Sequence, residues 1–168
     1  MEDKNQDLFV DLWGENVAKR FVDMMQRHGI DNHQFFVVDA KRELGCYCIG
    51  RIYLNKRLLH QPALAGTVML YELGKAYQFN TIGDLFMFWM GKDLDGNSIQ
   101  FDQALKIVTK AEHKAAEFCN RRIEEYNFPF SRLPNNATER ENERWLRIGM
   151  QHGWNNTEEL QQYFLSQM

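Results

Sequence analysis

The sequence predicts an α+β domain dominated by helices, with a small antiparallel or mixed sheet near its start and a helical tail at its C-terminal end. Three observations carry that prediction. Residues 7–28 and 101–125 place apolar side chains at helical spacing, residues 34–40 and 45–55 are rich in β-branched and aromatic residues, and residues 63–79 form a nearly uncharged run of helix formers. A chain of 168 residues holds about one domain and is long enough to bury a core.

Taken in order, "DLFVDLWGENVAKRFVDMMQRH" (7–28) sets Phe9, Trp13, Val17, Phe21, Met24 and Met25 on one face, with Gly29 after it, and predicts one amphipathic helix. "QFFVVDA" (34–40) and "GCYCIGRIYLN" (45–55), which alternates around Gly50, predict two or three strands. From Pro62, "ALAGTVMLYELGKAYQF" predicts a helix buried on most sides. "TIGDLFMFWMG" (81–91) predicts a second buried helix, and "KDLDGNS" (92–98) a turn. Phe101, Leu105, Val108, Ala115, Cys119 and Ile123 mark a long amphipathic helix to about residue 125.

The proline-bearing "NFPFSRLPNN" (127–136) divides the chain into a body, 1–126, and a tail, 127–168, made of an extended connection and short helices that pack on the body or on a partner. Thr138 with Glu141 has the form of a capping box, "HG" at 152–153 offers a stop, and Asn156 with Glu159 starts a last helix. That last helix carries Leu160, Tyr163, Phe164 and Leu165 after Trp154 and must dock on something.

A hydrophobic share of 44%, a charged share of 26% and 12 Phe describe a folding chain, not a disordered one. A net charge of −3 gives no global attraction to phosphate or anionic lipid. The first thirty residues show no basic segment followed by an apolar run, and no apolar stretch approaches the ~18 residues of a membrane span. Three cysteines, Cys46, Cys48 and Cys119, fit a reducing compartment, and the expectation is a soluble cytoplasmic protein with no membrane contact. On a strand, Cys46 and Cys48 point to one face and can supply two metal ligands; the plainer reading is reduced core thiols.

"AKRELGCYCIGRIYLNKRLL" (40–59) followed by "VMLYELGKAY" (68–77) resembles the SprT-like family of zincin-type metallopeptidases. Members show an "LG-C…I-L…LL" strand pair leading into "LLHELGHAY", and the likeness runs over roughly residues 8–110. The resemblance implies a zincin-like fold: a helix, a small sheet, a central helix and further helices. It also implies two histidines of H-E-x-x-H holding Zn²⁺, a glutamate activating the bound water, and a further histidine downstream. Here Glu72 matches the glutamate, Tyr71 stands at the first ligand position and Lys75 at the second. The third falls nearest Asn97 or Ser98, and neither His60 nor His113 replaces it by a simple register shift.

Those replacements remove the chemistry. A phenol with pKa about 10 must first lose a proton, and an ammonium with pKa about 10.4 has no lone pair. Like charges within about 4 Å repel by several kcal/mol at an intermediate dielectric, so Zn²⁺ and a charged Lys75 exclude one another. No cofactor and no metal ligand set are expected. Glu72 and Lys75, three residues apart, instead form either a buried or semi-buried pair that neutralises the old site or a weak surface pair at the cleft edge.

Phosphate-loop, Rossmann and nucleophile-elbow motifs are absent, and Cys46 or Cys48 with His60 offers a thiol nucleophile only on paper. "LFMFWM" (85–90) is either core or a protein-binding surface. The reading is a metal-free pseudoenzyme that binds another protein as inhibitor, decoy or adaptor, by analogy in defence or counter-defence, through Tyr71, Lys75 and Trp154. Two alternatives stay open. One is a metalloprotease with unusual ligands, acting on DNA-bound proteins with Glu72 as its base. The other is a DNA-binding module using the basic residues Lys41, Arg42, Lys56 and Arg57.

Overall fold

The computed structural model describes residues 4–133 and 139–168. Helices dominate them, around one three-stranded mixed sheet, so the expected α+β class holds.

The N-terminal stretch forms two helices, α1 (Lys4–Trp13) and α2 (Glu15–Arg27), where one was expected. Gly14 separates them at φ 84°, a backbone conformation that glycine adopts freely. The apolar spacing runs on across this break because both helices feed one core: Phe21 lies 4.9 Å from Phe9 and 4.9 Å from Trp13, centroid to centroid. Periodicity sees the shared face and not the kink.

The sheet comprises β1 (Gln34–Val38), β2 (Gly45–Cys48) and β3 (Arg51–Asn55) in the order β1-β3-β2. β3 pairs parallel with β1 and antiparallel with β2, and the registers Phe35↔Ile52 and Tyr47↔Ile52 place three apolar residues on the buried face. β2 is therefore an edge strand. Its open side is covered by the chain's end: the Ile49 amide donates to Gln161 Oε1 at 2.8 Å, and the amides of Arg42 and Glu43 donate to the Met168 carbonyl at 3.0 and 3.3 Å. Such cover protects an edge from pairing with other chains.

α3 (Pro62–Ile82) crosses the centre, with Pro62 at its first turn, where a missing N–H costs nothing. Met69, Leu70 and Leu73 are fully buried, as expected of an almost uncharged helix. Against it lies α5 (Phe101–Glu125). The two backbones approach so closely that a Cβ on Gly74 would stand 2.9 Å from the Ala115 carbonyl oxygen. Gly74→Ala is thus expected to destabilise by about 1–3 kcal/mol, since neither backbone can move without opening the core; a urea unfolding midpoint within error of the wild type would show that the pair is looser than this.

After a turn at Asn127 (φ 53°), residues 128–133 pass over α3 without regular structure. Phe128 and Phe130 are buried there, the Thr67 hydroxyl donates to the Ser131 carbonyl, and Asn120 holds Leu133 by both its N–H and its C=O, at 2.8 and 3.2 Å. Residues 134–136 and Thr138 of the expected capping box fall outside the described residues.

The second buried helix expected over 81–91 is not formed. α3 continues to Ile82, Gly83 ends it, and only α4 (Phe86–Trp89) follows, its start tied by the Phe86 amide to Asp84 Oδ1 at 3.1 Å. α6 (Glu139–Gln151) and α7 (Thr157–Ser166) then dock on the body through Leu146 and Leu160, both fully buried, with Phe88, Ala104 and Val108 beneath the former. Asn156 caps α7 by accepting from the Glu159 amide at 2.9 Å. No helix among the described residues is long and apolar enough to cross a membrane.

Candidate functional site

Tyr71, Glu72 and Lys75 project from α3 into a cleft bounded by β2, α4, α5, α6 and the chain's end. The turn spacing of the helix puts them on one side, and Lys75 Nζ lies 4.6 Å above the Tyr71 ring. The same ammonium is 3.3 Å from Glu72 Oε2 and 3.5 Å from Glu112 Oε1. The Glu72 side chain is 5% exposed and that of Lys75 29%. Of the two arrangements the sequence allows, the structure has the semi-buried pair, with Glu72 enclosed and Lys75 at the cleft.

Around them is a cavity of about 300 Å³. Cys46 and Tyr47 come from β2, Gln78 and Phe79 from α3, Phe86 and Trp89 from α4, Glu112 from α5, and Trp145 from α6, while Phe164 and Met168 close the far end. The "LFMFWM" run is thus partly core and partly cleft wall: Phe88 is buried, and Phe86 and Trp89 face the cavity.

The site's electrostatics centre on Glu112. Burial, followed by the carboxylates of Glu141 and Glu43, pushes its carboxyl up to about 8. At 3.5 Å the shared Lys75 contact does not offset that desolvation. Glu43 is raised by the same two causes, burial first and then Glu141. On β2 the Cys46 thiol lies 3.9 Å from the Tyr47 carbonyl and the Cys48 thiol 4.0 Å from the Gln161 carbonyl. All three cysteines are free thiols.

A stability signature follows from Glu112. Its folded-state value lies above the ordinary carboxyl value of about 4.5, so between the two values the folded protein holds a proton that the unfolded chain has released. Stability therefore falls as pH rises from about 4.5 to about 8 and flattens beyond, by an amount on the order of 5 kcal/mol for a shift this size. Glu112→Gln should flatten that slope, which urea unfolding at a series of pH values measures; an unchanged slope would assign the dependence to other groups.

The other expected site residues are placed elsewhere. Asn97 and Ser98 are exposed in the turn after α4, where the Asn97 amide donates to Asp93 Oδ1 at 2.9 Å. His60 and His113 are exposed as well. Among the described residues, no group of three or more His, Cys, Asp or Glu is placed to hold a metal ion. The donor set at the H-E-x-x-H position does not fit zinc: one of its two ligand positions carries an ammonium already engaged by the Glu72 carboxylate and the Glu112 carboxyl group.

Lys41, Arg42, Lys56 and Arg57 are exposed at one end of the sheet, because Asn55 donates to the Ala40 and Glu43 carbonyls, each at 3.1 Å, and folds the two segments together. Lys56 pairs with Asp39 at 3.3 Å. Trp154 is half-buried in the tail, its indole N–H donating to the Gly149 carbonyl at 2.9 Å and its ring 5.2 Å from Tyr163. It packs within the tail and does not wall the cleft.

Glu112 and Glu43 are the residues that sequence reasoning missed. Glu112 left a signal: Val108, Ala115 and Cys119 form the buried stripe of α5, and position 112 falls within that stripe. A charge at a core position marks either a paired group or a site. Glu43 left none, since the loop that carries it reaches the cleft only through the fold of the sheet.

Comparison with protein-family models, with curated proteins and with solved structures finds no match to this chain.

Proposed function

We propose that this protein is a metal-free binding protein on a zincin-like plan, of SprT-like ancestry, which works by gripping another protein at the cleft as an inhibitor, decoy or adaptor. The support is one observation: the Lys75 ammonium stands 3.3 Å from Glu72 and 3.5 Å from Glu112, at the position where the resemblance would put a zinc-bound imidazole. A buried carboxylate neutralised by a lysine is neither free to activate water nor open to a dication. The element order agrees with the plan, with helices, a small sheet, a central helix bearing Y-E-x-x-K, and further helices. Free thiols on β2 and α5 suit a reducing compartment, which supports a cytoplasmic location.

The test is metal analysis of the purified full chain together with a peptidase assay. Zinc well below one per chain and no peptide cleavage are expected. One zinc per chain, with an activity that Glu72→Gln abolishes, would restore the enzyme reading. A nucleic-acid role predicts binding that weakens steeply with salt and with charge removal at Lys41, Arg42, Lys56 and Arg57.

A further inference from the structure

We propose that α7 and the residues after it to Met168 form a strap over the far end of the cleft, which comes off as one unit while the rest of the fold stands and so controls entry of a protein partner. This inference rests on the reading of the cleft as a site that grips another protein, and adds how that site is opened.

Position is the first argument. Phe164 and Met168 wall the cavity at its far end. The same segment lies over Cys48 of β2, which is 4% exposed and has its thiol 4.0 Å from the Gln161 carbonyl. It also occupies the amides of Ile49, Arg42 and Glu43 along the open side of the sheet. Lifting it therefore opens the cleft end and the strand edge together.

The way the segment is held is the second. α7 has ten residues, of which only Leu160 and Gln161 are buried. Phe164 meets Trp89 and Trp145 edge-on at 5.9 and 5.2 Å but stays partly exposed. The remaining ties are polar: Gln161 Oε1 accepts from the Ile49 amide at 2.8 Å, the Thr157 hydroxyl donates to Asp84 Oδ2 at 2.6 Å, and the Met168 carbonyl accepts from two amides. Water replaces such bonds when the segment lifts, so each is worth only about fivefold in the equilibrium. Gln161 Nε2 is enclosed without a partner, a cost that lifting removes. A helix this short does not persist alone, so undocking and unwinding are one step.

Contrast with α6 is the third. Leu146 of α6 is fully buried, and Gly149 sits so close to the Trp89 carbonyl that no Cβ would fit. That helix is fixed to the body. Between it and α7 lie the exposed residues His152, Gly153, Asn155 and Asn156, where the joint falls. A segment with few buried apolar contacts beyond an exposed joint opens more readily than the core.

Thiol labelling of the full chain with iodoacetamide tests this. Cys48 lies under the strap, whereas Cys119 is fully buried with its thiol 3.4 Å from the Thr67 carbonyl of α3, away from it. Mass spectrometry reads each thiol against its own rate in the urea-unfolded chain. Cys48 is expected to label about tenfold or more faster than Cys119. Its rate should also rise less steeply with urea, because opening the strap exposes less surface than unfolding the chain. Thr157→Val, which removes one tie, should speed Cys48 about fivefold. Gly74→Ala loosens the core that stays folded in the open form, so it should speed Cys119 about fivefold or more and leave Cys48 unchanged. Equal rates and equal urea dependence for the two thiols would overturn the proposal, as would a Gly74→Ala chain in which both speed up alike or a Thr157→Val chain in which Cys48 does not. Metal content separates this from the reading beneath it. A zinc-loaded chain sinks the metal-free reading whatever the thiols do, whereas a zinc-free chain whose thiols react together sinks only the strap.

Discussion

Lys75→Met is expected to lower the stability of the folded chain by about 3–5 kcal/mol, the loss typical of breaking a buried ion pair from one side. The substitution leaves the Glu72 carboxylate, 5% exposed, without its counter-charge. Its Oε2 is fully enclosed and finds no other hydrogen-bond donor, so water cannot easily replace the ammonium. A surface pair would cost no more than about 1 kcal/mol on the same change, and that gap decides which description of the pair is right. Urea unfolding near pH 7 makes the measurement. Adding Glu72→Gln to Lys75→Met should recover much of the loss, because an uncharged amide is far cheaper to bury than a lone carboxylate. A loss under about 1 kcal/mol in the single variant would mean that the cleft is wetter than its geometry indicates.

Replacing Tyr71→His and Lys75→His together is expected to raise zinc uptake to about one equivalent per chain, above that of the unsubstituted chain. The two positions share a helix face, as the Lys75 contact with the Tyr71 ring demonstrates. Glu112 already reaches to 3.5 Å from Lys75 Nζ, so a carboxyl group from α5, on releasing its proton, stands within reach as a third ligand beside two imidazoles. That set of two histidines and a glutamate is one that binds zinc elsewhere. Chelator competition and metal analysis would follow the gain, and Glu112→Gln on the same background should weaken it about tenfold or more. Failure of the double variant to take up any zinc would deprive the zincin-like reading of its main structural support.

Local pattern decided a good deal. The almost uncharged run after Pro62 must be a buried helix, because no other arrangement hides so many apolar residues at once, and α3 is that helix. Alternation around Gly50 set β2 against β3. Asn156 and Glu159 placed the start of α7 within a residue. These features depend on neighbours in the chain, so a short window contains the whole cause. The two local misreadings have a local cause of another kind. At residues 7–28 and 81–91 the apolar spacing was right, but Gly14 and Gly83 broke the backbone beneath it.

The residues of the cleft belong to the other category. Tyr71, Glu72 and Lys75 stood out in the sequence because one helix turn carries all of them, and the charge types alone argued against a metal there. Whether the pair was buried, and what else faced it, depended on segments far apart in the chain. Glu43 arrives from a loop, Glu112 from α5, Trp145 from α6 and Met168 from the end of the chain, and only packing around α3 draws them into one cavity. Trp154 shows the converse: a tryptophan that looks like an exposed anchor in the sequence spends its indole N–H and ring face inside the tail. Residue chemistry told which groups this helix turn carries. The low dielectric and the convergence of distant acidic side chains, which exist only once the chain has folded, determine how those groups are charged and paired.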